Sequence, residues 1–248
     1  MLHSQDILAI YRHLGTSDLT VVDVETTGSQ PDHNWVIEIS VLQGCPQAGI
    51  AKHRTQLIKP PIPIPKDIQR FTGITPDLVT DAPPPAQAWP EFLPLLETGI
   101  FTAHNLPFDY GFIQSEYEKL NIPFSRPLEA QFCTVKLSRI LLSHLKSRRL
   151  PDLVRHFDFP VDTSHRAEAD TLACWYLTLE LVNRLEQTPD GPILEKLGQE
   201  WLTLEEAAQL LGTDVTTALG ELMHPHIVNK CTRRGEILFQ RHSVERIC

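Results

Sequence analysis

The apolar positions of the chain change period as it proceeds. Ile7, Leu8, Ile10, Tyr11 and Leu14 share one face of a helix over 6–14, which Gly15 stops. From Leu19 the pattern is that of strands: Leu19–Glu25, then 35–43, a turn over 43–49, and Ile50–Ile58. Three strands joined by short turns predict an antiparallel meander. The proline-rich stretch from Pro60 to Pro65 reads as a rigid loop inside one domain. Helical sequence resumes at Lys66–Phe71. Thr72-Gly73-Ile74-Thr75-Pro76 then feeds another short helix, and 81–85 is a second rigid loop. Glu91–Leu96 reads as helix, Ile100–His104 as a short buried strand, and Pro107 opens a helix to Leu120. Helices follow over 131–142, 151–157 and 165–185, the last with a stripe of Leu172, Trp175, Tyr176 and Leu179. Strands first, then a strand among helices, predict an α/β fold: a mixed sheet flanked by helices.

Thr188-Pro189-Asp190-Gly191 marks a boundary, which divides the chain into a domain over 1–190 and a smaller one over 195–248. Thr203-Leu204-Glu205-Glu206 has the form of a capping box, and Gly212 stops the helix it opens. Asp214 is placed to cap a second helix over 215–223, with Val215, Leu219 and Leu222 inward. Strands over 227–231 and 236–240 flank Arg233-Arg234-Gly235. Helix, turn, helix and hairpin is the order of a winged-helix-like unit. From Glu221 onward five Lys or Arg stand against three Glu, a mild basic excess that leaves nucleic-acid binding and protein binding both open.

Composition narrows the class. The 248 residues suffice for a real core, and the net charge of −9 argues against a broad electrostatic grip on nucleic acid. A short strand end entering a metal-loaded pocket remains compatible with that charge. Five cysteines, an odd number without a C-x-x-C pair, indicate a reducing compartment and no thiolate zinc site. Asp6, Arg12 and His13 interrupt the N-terminal apolar residues, so no signal peptide is expected, and no apolar run is long enough for a membrane span. A cytoplasmic location is the expectation.

Val21-Val22-Asp23-Val24-Glu25 carries the first chemistry. Residues two apart on a strand face the same side, so Asp23 and Glu25 stand together at a strand end. Two carboxylates that close repel unless one is protonated or a cation is shared, and hard oxygen ligands suit Mg²⁺ or Mn²⁺. Thr26, Thr27 and Gly28 break the strand and are expected to leave backbone amides free beside the site. The plain alternative is an edge strand with two solvated acids. Asp109 falls on the first turn of a helix just after a buried strand. His165 begins the long helix with Asp170 about 1.4 turns on, so both reach one site near its N-terminus. Asp170 sits among Ala167, Ala169, Leu172 and Ala173, a costly place for an unpaired acid. Singly, His165 also fits a surface histidine, Asp109 a helix-start acid favoured by the dipole, and His104 a satisfied core histidine.

Taken in order, Asp23-Val24-Glu25-Thr26-Thr27-Gly28, Thr72-Gly73-Ile74-Thr75, His104-Asn105-Leu106-Pro107-Phe108-Asp109, the stretch from Cys133 to Arg139, and His165 with Asp170 resemble the DEDDh 3′→5′ exonucleases of the ribonuclease-H-like superfamily. The likeness is to the proofreading ε-subunit of bacterial DNA polymerase III and its stand-alone relatives. It covers about residues 17–187 and departs from the pattern between Leu150 and His165, where the usual Leu-x-x-Leu keeps only Leu150 and Leu153. The resemblance implies two-metal phosphodiester hydrolysis at a 3′ end, releasing nucleoside 5′-monophosphates. It places two divalent ions, Mg²⁺ or Mn²⁺, on Asp23, Glu25, Asp109 and Asp170, and makes His165 the general base. Thr26, Thr27, Gly73 and Ile74 would cradle the terminal nucleotide, with Asn105 and Phe108 positioning the site or the strand end. The expected partners are single-stranded 3′ ends and a polymerase or other replication or repair protein. DNA is the favoured substrate. The competing readings are an exoribonuclease that trims RNA ends and a non-catalytic nucleic-acid-binding or scaffold protein on the same fold; all five catalytic positions being filled favours an enzyme.

Overall fold

The computed structural model describes residues 1–162 and 165–247. In chain order the helices and strands are α1 (Ser4–His13), β1 (Leu19–Thr26), β2 (Val36–Cys45), β3 (Gly49–Leu57), α2 (Lys66–Thr72), α3 (Pro85–Leu96), β4 (Ile100–Ala103), α4 (Leu106–Lys119), β5 (Gln131–Cys133), α5 (Thr134–Leu141), α6 (Leu150–Phe157), α7 (Ala167–Gln187), α8 (Asp190–Gly198), β6 (Trp201–Leu202), α9 (Leu204–Leu211), α10 (Val215–Leu222), β7 (Asn229–Cys231), β8 (Ile237–Gln240) and α11 (Arg241–Glu245). They gather into two compact units, one over His13–Asn183 and one combining Met1–Arg12 with the chain from Arg184 onward. Among the described residues no helix is long and apolar enough to cross a membrane.

The larger unit holds a five-stranded sheet in the order β3-β2-β1-β4-β5. The first three strands form the expected antiparallel meander, and β4 and β5 add in parallel, so the sheet is mixed. β1 lies at its centre rather than on an edge, with Val21 and Val22 fully buried. Trp89, Phe92, Phe101, Phe112 and Tyr117 pack with Val22, Val24 and Ile39 in one cluster. Phe132 pairs in parallel register with Thr102 of β4, so the segment expected to start a helix at 131 is instead the fifth strand. Residues 75–82 wind as successive turns rather than a helix, with Leu78, Thr80 and Ala82 each donating three residues back.

α3 starts six residues before the expected 91 and carries Pro90 and Pro94 inside it. An interior proline removes a helix hydrogen bond and costs about 3 kcal/mol. Ala88, Trp89, Phe92, Leu95 and Leu96 are all buried from this helix. Each large side chain of that kind contributes about 1.5–3 kcal/mol on burial, so packing outweighs local propensity.

The smaller unit is built on a three-stranded antiparallel sheet, β6-β8-β7. Thr203 and Glu206 form the expected capping box, with Thr203 N donating to Glu206 Oε2 at 2.9 Å and Glu206 N to Thr203 Oγ1 at 3.2 Å. Asp214 Oδ1 accepts from the amides of Thr216 and Thr217 at 2.9 and 3.0 Å, capping α10. The inward face of α10 is Ala218 and Leu222, whereas Val215 and Leu219 are 42% and 38% exposed. Both pairs have the i, i+4 spacing, and the sheet and α9 select the smaller one. α1 joins this unit although the chain's punctuation groups 1–190. Arg241, 2% exposed, donates to the Leu2 carbonyl at 2.9 Å and pairs with Glu200 at 3.1 Å. The Ser4 amide and hydroxyl both donate to Glu245 Oε1, at 2.7 and 2.8 Å.

Candidate metal centre

The parallel ladder between β1 and β4 ends at Val21–Thr102. Beyond it the strands part at their carboxyl ends, the usual place for a ligand crevice in such sheets. β4 turns sharply through Asn105, whose φ of 77° is left-handed, and Pro107 sits in the first turn of α4. This geometry brings Asp109, 3% exposed, against β1, where its Oδ1 accepts from the Val24 amide at 3.3 Å. The bond uses an amide that β4 no longer reaches.

Asp23, Glu25 and Asp170 each offer a carboxylate oxygen within 4.8 Å of the others. Asp23 and Glu25 come from β1 by the i, i+2 spacing. Asp170 comes from the first turn of α7. What holds α7 there is Glu38 of β2, directly opposite Glu25 in the sheet and 1% exposed. Its Oε2 accepts from Arg166 Nε at 2.9 Å and from the Ala167 amide at 3.0 Å, and Arg166 Nη2 donates to Oε1. Two glutamates facing across strands repel. Arg166 neutralises one of them, and the same carboxylate caps the N-terminus of α7. The sequence carries one signal for Glu38, a lone acid inside the apolar run Val36-Ile37-Glu38-Ile39, and none of its own for Arg166.

The carboxyls are held far from their ordinary behaviour. Loss of hydration on burial, then the fields of Asp170, Glu38 and Asp109, push Glu25 up to about 8, opposed by Arg166. Burial raises Asp170 to about 6. Asp23 is raised by burial first and then by Asp109, Asp170, Glu25 and Glu38. Asp109 is raised by burial, against the Val24 amide that favours its charge. A cluster of buried and half-buried acids with this mutual repulsion and one arginine nearby fits a bound divalent cation: the donors are all hard oxygens and a cation relieves both costs.

His165 lies two residues ahead of α7 rather than on it. Its ring stacks on Phe71 with centroids 4.1 Å apart and planes at 25°. Phe71, at the end of α2, is 58% exposed, so this stack is at the surface of the site. His165 shares a pocket of about 530 Å³ with Asp23, Asp170 and Asn105.

The remaining expected residues divide. Asn105 is exposed in the pocket, and Phe108 is half-buried against Phe112 at 4.9 Å. Gly73 is exposed in a left-handed conformation that ends α2, with a φ of 73°. Ile74 is fully buried with Ile37, Ile64 and Val79, so its side chain belongs to the core. Thr26 and Thr27 are buried too, and Thr27's amide is not free as expected: it donates to the Trp35 carbonyl at 2.8 Å. Trp35 N donates to Thr27 Oγ1 at 2.9 Å and Thr26 Oγ1 to the Gly28 carbonyl at 2.6 Å, closing the loop between β1 and β2.

A family model described as an exonuclease, RNase_T, matches residues 20–178. A PolC-type DNA polymerase III of Oceanobacillus iheyensis is 31% identical over 174 residues, covering 70% of this chain and 12% of the relative. The 3′-5′ exonuclease DinG of Bacillus subtilis is 31% identical over 186 residues, covering 74% of this chain and 20% of the relative. The chain thus spans between an eighth and a fifth of the curated relatives it matches, 12% and 20% for these two. In fold it is similar to the nuclease domain of 3′hExo, a DEDDh family member bound to rAMP, with a TM-score of 0.57, 16% identity, and coverage of 67% of this chain and 92% of that one.

Proposed function

The chain belongs to the RNase_T family of exonucleases, and on that footing we propose that it is a metal-dependent 3′→5′ exonuclease, acting on single-stranded DNA ends and releasing nucleoside 5′-monophosphates. The observation that carries this reading is the meeting of Asp23, Glu25 and Asp170 within 4.8 Å at the open end of β1, with Asp109 on the Val24 amide. Asp23, Glu25, Asp109 and Asp170 would hold two divalent cations, Mg²⁺ or Mn²⁺, which supply a hydroxide-like nucleophile and offset charge on the scissile phosphate and leaving oxygen. His165 takes the proton of the attacking water. The water oxygen bonds to phosphorus, the bond to the neighbouring nucleotide's 3′-oxygen breaks, and that oxygen takes a proton from solvent. Phe71 fixes the imidazole plane through the stack, and Asn105 and Phe108 line the approach of the strand end.

DNA is favoured because a relative is named as a DNA polymerase; the same relative supports a replication or repair protein as partner. The ribonucleotide bound to 3′hExo supports the alternative of an RNA end. Residues 195–248 are read as a winged-helix-like accessory unit. Val215 and Leu219 of its α10 and Met223 just beyond it are exposed, and no basic residue lies on that helix, which favours a protein partner over nucleic acid there. The test is product analysis on matched 5′-labelled DNA and RNA strands with Mg²⁺ and with chelator. Stepwise shortening of DNA from the 3′ end, lost with chelator, is expected. Full activity in excess chelator refutes the metal mechanism, and internal cleavage refutes exonuclease action.

A further inference from the structure

The pocket that holds Asp23, Asp170 and His165 has a second wall of opposite charge, formed by Arg139, Arg148 and Arg149. Arg139 projects from α5 one turn after Val135, which lines the same pocket. Arg148 and Arg149 end the loop between α5 and α6. Among the described residues none of the three lies within salt-bridge distance of a carboxylate; the nearby Asp152, whose charged form Arg149 also favours, is bonded by Arg155 and by Ser147. Three guanidinium groups with no carboxylate in salt-bridge contact, beside an acid cluster in a chain of net charge −9, are a local exception to the whole.

The wall is built, not adventitious. His104 Nε2 lies 3.0 Å from the Arg148 carbonyl, and its Nδ1 lies 2.8 Å from Thr134 Oγ1. A carbonyl only accepts, so Nε2 carries the proton and Nδ1 accepts from the threonine hydroxyl. Burial lowers His104 to about 4, so the ring is neutral and keeps this tautomer across the neutral range. His104 therefore ties the arginine loop to the end of β4, beside the acids. Arg148 Nη2 donates to the Leu142 carbonyl at 3.1 Å, while its Nε is shielded from solvent without a hydrogen-bond partner among the described residues. A shielded N–H of that kind is costly unless an acceptor arrives.

We propose that Arg139, Arg148 and Arg149 form the binding site for the phosphodiester backbone of the substrate strand on the 5′ side of the scissile bond, with His104 as the residue that positions Arg148. The proposal rests on the exonuclease reading above and adds to it the track of the strand. A guanidinium fork matches two phosphate oxygens, and successive phosphates of a single strand pass from the acid pole of the pocket to the basic one. It also explains how an acidic protein takes a polyanion without a basic surface.

The test uses the whole 248-residue chain and two probes. The first is binding of a 5′-fluorescein-labelled dT12 in Ca²⁺, followed by anisotropy across a salt series. The second is hydrolysis in Mg²⁺ of the p-nitrophenyl ester of thymidine 5′-monophosphate, which has one phosphodiester and no upstream phosphate. Each single-strand phosphate contact contributes about 0.7 to the salt slope, so R139Q/R148Q/R149Q should be shallower by about 2. Between 50 and 200 mM salt the wild type then loses about 16-fold more affinity than the variant. Hydrolysis of the ester should be unchanged, and R139K/R149K should keep the slope. R139Q/R149Q, which alters only exposed side chains, serves should the triple variant fail to fold, with about two thirds of the effect expected. An unchanged slope overturns the proposal. Parallel loss of ester hydrolysis and binding also overturns it, placing the arginines at the reacting phosphate. A wild type that binds with an arginine-dependent slope but hydrolyses neither probe upholds the strand track and refutes the exonuclease reading. H104F should lower binding as R148Q does, without changing hydrolysis of the ester.

Discussion

Glu25→Gln in the metal-free protein tests the electrostatics of the site directly. Glu25 is 8% exposed, and its carboxyl is pushed from 4.5 to about 8. A folded-state pKa raised in this way means that the folded chain keeps a proton that the unfolded chain releases. The associated stability is fully present below pH 4.5 and is lost as pH rises through about 8. At about 1.36 kcal/mol per unit the loss is on the order of 4–5 kcal/mol. Glutamine resembles the protonated acid in size and never ionises. At pH 5 in chelator the two proteins should therefore be similar, and at pH 8.5 the variant should be the more stable by that order. Urea unfolding followed by the fluorescence of the buried Trp89 and Trp175 reads this out. With an m-value of about 2–3 kcal/mol/M, the midpoints should separate by about 1.5–2 M at pH 8.5. Mg²⁺ at 100 times its dissociation constant should return about 2.7 kcal/mol to the wild type, and less to the variant, which lacks one ligand. Midpoints that track one another from pH 5 to pH 8.5 in chelator would refute the reasoning, because Glu25 would then ionise freely in the folded state.

His165→Ala should lower turnover on the order of 10²-fold with strand binding retained, and Phe71→Ala should give a smaller loss, both read from steady-state kinetics in Mg²⁺. Arg166→Ala leaves Glu38 buried without its partner, and since Arg166 is partly exposed the expected destabilisation is about 2 kcal/mol, measured by urea unfolding at pH 7. That variant should also bind Mg²⁺ more weakly, because α7 loses the tie that holds Asp170. Arg233→Ala/Arg234→Ala, at the exposed tip of the β7–β8 hairpin, should leave the salt slope for a short strand unaltered, as the basic track belongs to the pocket in the other unit.

The sequence by itself determined the parts of this protein that depend on local spacing. Asp23 and Glu25 share a face because strand side chains alternate. Asp170 reaches back to the helix start because a helix turns every 3.6 residues. The meander, the cap at Thr203 and the cap at Asp214 follow from equally local rules. Tertiary structure alone decided what meets across long separations. It placed β1 at the centre of the sheet, set Glu38 and Arg166 between the acids and α7, buried the Ile74 side chain in the core and tied the Thr27 amide to the Trp35 carbonyl. It also extended α3 through two prolines, since burying Trp89 and Phe92 outweighs the lost hydrogen bonds. The arginine wall has no signature of its own in the chain, because Arg139, Arg148 and Arg149 belong to two segments of different periodicity. They become one surface only when His104, at the end of β4, takes hold of the Arg148 carbonyl.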